Sequence, residues 1–131
     1  MTVPNNVCRF EWLMYGSLVP GLIYAPFNPL THVAFSRWGY AVYLIGALAL
    51  SLYVVIIWAI ARRRLNWLRY LMLILFLVGW AVDGPEVFRM YAVNPIYETL
   101  VVLGVVMHGA AYYFIFTGDA APWFRRSRAS E

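Results

Sequence analysis

Lysine is missing altogether: all ten basic residues are arginine. Cysteine is nearly missing too. Cys8 is the single thiol, which rules out an intrachain disulfide. Charge is scarce, at 12% of 131 residues, about half the share a soluble domain carries. No G-x-S-x-G, H-E-x-x-H, phosphate-binding glycine loop or C-x-x-C occurs, so nothing points to the hydrolytic, metal or redox chemistries those patterns serve. The opening stretch MTVPNNVCRFEW has neither a basic n-region nor a small-residue cleavage site. The first apolar segment is therefore expected to be retained.

What is abundant is apolar surface in unbroken runs. Hydrophobic residues make up 63% of the chain, and residues 38–61 and 99–118 contain no Asp, Glu, Lys or Arg. A bilayer core about 30 Å thick needs roughly 20 helical residues, and both runs satisfy that length. The expected fold is all-α: a polytopic membrane protein forming one domain over residues 1–131. It is an antiparallel bundle of four transmembrane helices with short loops, with spans at about 10–27, 38–61, 65–82 and 95–117.

The first span is interrupted by Gly16, Pro20, Gly21 and Pro26, so it reads as a kinked crossing or a re-entrant segment. Residues 28–37, NPLTHVAFSR, read as a polar turn. At the end of the third span, Asp83 or Gly84 suits the cap of a short helix restarting at Pro85. Asn94 and Pro95 form a start signal for the fourth span, and Gly118 suits its end. Arg69 lies close enough to the end of its span to snorkel. Gly46, Ala47 and Ala49, and Gly104, Gly109, Ala110 and Ala111, supply small-residue seams for helix packing.

The arginines orient the bundle. Arg62, Arg63, Arg64 and Arg69 sit in one connection, and Arg125, Arg126 and Arg128 near the C-terminus. Each cluster adjoins an apolar run, so topology explains it better than nucleic-acid binding does. The positive-inside rule then puts both termini in the cytoplasm of an inner (plasma) membrane, with only Arg37 and Arg89 outside. The tryptophans agree: Trp12, Trp58, Trp67 and Trp123 fall at inner ends, Trp38 and Trp80 at outer ends.

Two groups of residues invite a chemical reading. Asp83, Glu86, Arg89 and Glu98 gather at the outer end, with His32 nearby in sequence. Caps, first-turn carboxylates and a Glu86–Arg89 surface pair account for them structurally. An outward-facing pocket for a cation or ligand is the alternative, but D-x-x-E is no specific metal spacing. His108 lies about 20 Å into the fourth span. It either hydrogen-bonds a neighbouring helix or binds a ligand or proton. Paired-histidine haem ligation would require His32, which the topology places outside the bilayer, so no cofactor and no metal are expected. Glu11, beside Trp12, reads as a salt-bridged or solvated acid.

The expected function is helix–helix association with the bilayer as surroundings. The chain would act as an accessory subunit for a membrane-protein partner or as a homo-oligomer. The alternatives are a small transporter or ligand-binding bundle using His108 and the outer acids, and an intramembrane enzyme acting on a lipid-like substrate.

Overall fold

A computed structural model describes residues 2–25, 29–90 and 94–125. Seven helices follow in order: α1 (Asn5–Gly16), α2 (Leu18–Tyr24), α3 (Pro29–Trp38), α4 (Ala41–Arg63), α5 (Asn66–Met90), α6 (Pro95–Phe116) and α7 (Ala120–Arg125). No strand occurs among the described residues. α4 and α6 are long and apolar enough to cross a membrane, while α5 carries a shorter apolar section over Asn66–Val82.

The broken first segment follows from its prolines and its hydroxyl. The Ser17 N–H donates to Leu13 O at 2.9 Å, and its Oγ donates to Met14 O at 2.7 Å, which ends α1. Pro20 then falls in the first turn of α2, where backbone N–H groups have no intrahelical partner and a missing one does no harm. Together α1 and α2 run antiparallel to α6. Asn6 Nδ2 donates to Thr117 O (3.0 Å) at one end. Gly16 faces Met107 in the middle, and Gly104 lies against the Ser17 carbonyl further along.

α4, α5 and α6 pack with this pair, and successive helices again run in opposite directions. Arg64 adopts a left-handed conformation (φ 57°) that ends α4 and lets the chain turn into α5. Asn94 Oδ1 accepts the Tyr97 N–H, capping α6 as the Asn-Pro start signal implies.

The buried core occupies the arginine-rich half. Val7, Phe10 and Met14 form the stripe α1 presents, at spacings of three and four residues. Against it pack Ile57, Ile60 and Ala61 of α4, Ala111 and Ile115 of α6, and Phe124 of α7. The other half is open. Only 17% of the apolar windows of α4 and of α6 is buried, and Leu44 and Leu48 of α4 are 68% and 71% exposed.

Four sequence expectations are corrected. Residues 29–38 are a helix rather than a polar turn, held by Phe35 packing edge-on to Tyr40 and beside Tyr43, both at 5.6 Å between ring centres. No helix restarts at Pro85, because α5 continues through it to Met90. Gly84 permits this, since with no Cβ it meets no clash from the following proline ring. Arg69 does not snorkel; it is 8% exposed. The seam of Gly46, Ala47 and Ala49 is exposed, with no neighbour among the described residues within 4 Å of a Cβ added at Gly46.

Candidate functional site

His108 stands where three helices meet. Its Nδ1 lies 2.9 Å from Gly104 O, one turn back on α6. A carbonyl only accepts, so Nδ1 carries the proton and Nε2 is left as the acceptor. Tyr53 of α4 supplies the matching donor, with Oη 2.6 Å from Nε2. Phe76 of α5 stacks on the imidazole, with ring centres 5.5 Å apart and planes 7° from parallel. Both ring nitrogens are thus engaged within the protein, and the ring face is covered.

Beside this cluster lies a cavity of about 320 Å³, at the small end of the range for ligand pockets, about 300–1,000 Å³. Ser17, Pro20 and Gly21 form one wall, Phe76, Gly79 and Trp80 a second, and Val101, Gly104 and His108 a third. Among the described residues no carboxylate, arginine or cysteine lines it. Its polar groups are the Ser17 hydroxyl, which donates to Met14 O, the Trp80 indole and the engaged imidazole. Such a cavity can hold an apolar group. Among the described residues it brings together neither a nucleophile with a neighbouring base nor a cluster of metal donors.

Among the described residues of the outer group, neither Glu98 nor Arg89 joins this site. Glu98, in the first turn of α6, is 3% exposed, and Arg89 is exposed in the last turn of α5. Neither lines the cavity. Asp83 and Glu86 belong to α5 by their backbone, and their side chains lie outside the described residues. Of the candidate ligand-binding residues whose side chains are described, His108 borders the cavity and Arg89 and Glu98 do not. Among the described residues no three His, Cys, Asp or Glu side chains come together to hold a metal ion.

Sequence reasoning missed His108's partners. Tyr53 lies 55 positions away, and its one signal was a phenol midway along an apolar run. At the arginine-rich end sequence reasoning anticipated a salt-bridged Glu11 but neither the partner nor the rest of the order. Glu11 Oε2 accepts from Arg62 Nη2 at 2.9 Å, with Tyr15 Oη 3.5 Å from Oε1. Asp119 accepts the backbone N–H groups of Asn5 and Asn6 at 2.9 and 3.0 Å. The Arg69 guanidinium lies over the rings of Tyr70, Phe116 and Phe124 at 4.9, 4.7 and 4.5 Å, and donates to Ile115 O at 3.3 Å. Comparison with protein-family models, curated proteins and solved structures returns no match for the chain.

Proposed function

We propose that the chain is a small multi-pass membrane protein that acts by helix–helix association, as an accessory subunit or a homo-oligomer. In this reading four rods (α1 with α2, α4, α5 and α6) cross an inner membrane, with both termini and the arginine-rich end in the cytoplasm. The observation that carries it is the outer half of α4. Leu44, Leu48 and Leu52 stand exposed on one face of this helix and Gly46 and Ala49 on another, with nothing among the described residues packed within 4 Å of a Cβ at Gly46. An apolar helix face of this extent requires lipid or another helix against it. Small residues there permit close approach.

Purification in mild detergent with native mass spectrometry tests the reading. A discrete homo-oligomer or a stoichiometric partner is expected, and Gly46→Leu with Ala49→Leu should weaken it. A monodisperse monomer without a partner overturns it. Cys8, partly buried at the arginine-rich end, tests the orientation. A membrane-impermeant maleimide should label it only after the cells are permeabilised.

The 320 Å³ cavity beside His108 favours a second reading, in which the bundle binds an apolar ligand between α2, α5 and α6. Filling the cavity by Gly79→Leu would then displace a molecule recovered by organic extraction of the wild-type protein. Recovery of the same molecule from both proteins excludes this second reading.

A further inference from the structure

The arginine-rich end carries six described arginines: Arg9, Arg62, Arg63, Arg64, Arg69 and Arg125. It has two described carboxylates, Glu11 and Asp119. Both are committed, Glu11 to Arg62 and Asp119 to the first two N–H groups of α1. At the opposite end Arg37 and Arg89 stand against Asp83, Glu86 and Glu98. Among the described residues the arginines at this end therefore outnumber the carboxylates, and the charge is one-sided.

Several of these arginines are braced on aromatic rings. The Arg63 guanidinium lies 5.4 Å from the Trp58 ring centre, Arg64 3.7 Å from Trp123, and Arg9 5.3 Å from Phe114. Stacking engages the face of a guanidinium, whereas its five N–H donors lie in the plane, in a fork that matches phosphate oxygens. The Trp123 indole N–H donates to Ala61 O at 3.3 Å, fastening α7 to the end of α4. Arg125, two residues further along α7, is exposed at the same end of the molecule as Arg63 and Arg64. Around this end Trp12, Trp58 and Trp67 are exposed on three different helices. The basic patch is thus continuous with the apolar sides of the bundle instead of standing on a polar face.

We propose that this end of the bundle is a docking surface for the phosphate headgroups of anionic phospholipid, with Arg63 and Arg125 as its accessible contacts. The proposal rests on the multi-pass reading given above. It goes beyond orientation, since the positive-inside rule needs positive charge but no headgroup held at defined arginines. A nucleic acid would reach the arginines but leave the indole ring and the adjoining apolar sides uncovered, whereas a headgroup with its acyl chains covers both. Each basic residue near an anionic surface strengthens attraction by about 1 kcal/mol.

The test uses the full chain reconstituted into vesicles, with intrinsic tryptophan fluorescence quenched by brominated phosphatidylglycerol or brominated phosphatidylcholine. The expected result is a higher relative association constant for the anionic lipid, lost at high salt. Arg63→Gln and Arg125→Gln should each lower that preference up to about fivefold, while Arg37→Gln at the other end leaves it unchanged. Unchanged thermal midpoints in detergent show that the variants fold. Equal constants for the two lipids, a preference unaltered in the double variant, or competition by inorganic phosphate at matched ionic strength overturns the proposal. Flotation of the same vesicles after alkaline washing separates the two levels. Loss of the protein from the vesicles sinks the membrane reading itself, whereas retention without lipid preference sinks only the headgroup site.

Discussion

The Tyr53 hydroxyl donates to His108 Nε2 at 2.6 Å, linking α4 to α6 through a bond closed on the far side by His108 Nδ1–H and Gly104 O. Interhelical bonds of this kind are worth about 0.5–1.5 kcal/mol. Tyr53→Phe should therefore lower stability by about that amount in a mild-detergent unfolding titration, and His108→Leu by at least as much, since it strands the tyrosine hydroxyl. A double-mutant cycle is expected to show a coupling of at least ~0.5 kcal/mol. Strict additivity would mean that the two side chains do not act as a pair.

The Glu11–Arg62 ion pair is unequal in its surroundings, and its two truncations should be unequal as well. The Arg62 side chain is 44% exposed and that of Glu11 only 11%. Arg62→Ala leaves a buried carboxylate whose remaining neighbour is the Tyr15 hydroxyl at 3.5 Å, a loss of about 1–3 kcal/mol. Glu11→Ala leaves a guanidinium able to turn into water or headgroups, at less than about 1 kcal/mol. Thermal midpoints in one detergent decide the order. A larger loss for Glu11→Ala would show that the pair's value lies in what Glu11 itself packs against.

Local features were legible in the sequence and distant ones were not. The runs that became α4 and α6, the Asn94 cap and the left-handed Gly118 (φ 57°) are each written within a few residues. α3 was unreadable because its polar residues mimic a turn, while its hold comes from Phe35 meeting Tyr40 and Tyr43 across the following bend. Arg69 looked able to snorkel because its distance from the span end was visible in the sequence. The return of α6 and α7 over it, bringing Phe116 and Phe124, was not. For the same reason His108 could be picked out as a residue but not placed in a cluster, since Tyr53 and Phe76 arrive from other helices.

Gly84 and Pro85 look like a break, yet α5 runs through them, and the two residues should respond oppositely to substitution. A Cβ on Gly84 would stand 3.2 Å from Cε2 of Trp80, a rigid ring, and would also crowd the proline. Gly84→Ala is expected to destabilise the protein by ~1 kcal/mol or more. Pro85→Ala restores an N–H for the Ala81 carbonyl and should be neutral or stabilising, with helicity by far-UV circular dichroism unchanged or higher. A loss of helicity in Pro85→Ala would mean that the proline ring is itself needed where it packs.

The start of α1 borrows its cap from the other end of the chain. Its own N-cap position is Pro4, which supplies no side-chain acceptor, so the first N–H groups of the helix would be left unsatisfied. Asp119, 114 and 113 positions away, accepts those of Asn5 and Asn6 and places a carboxylate at the positive end of the helix dipole. Asp119→Ala should lose about 1 kcal/mol, the usual value of a cap, and speed amide hydrogen exchange in the first turn of α1 in particular. Asp119→Asn keeps one acceptor oxygen and should fall between wild type and alanine. Gly118→Ala acts on the same junction from the backbone. Its φ of 57° disfavours a side chain by roughly 1–2 kcal/mol, and the added Cβ would sit 2.5 Å from Asn6 Nδ2. Faster exchange at Asn5 and Asn6 in both Asp119→Ala and Gly118→Ala, with α4 unaffected, is the expected pattern. Exchange that rises evenly along the bundle in Asp119→Ala would show that the contact supports global stability and does not act as a local cap.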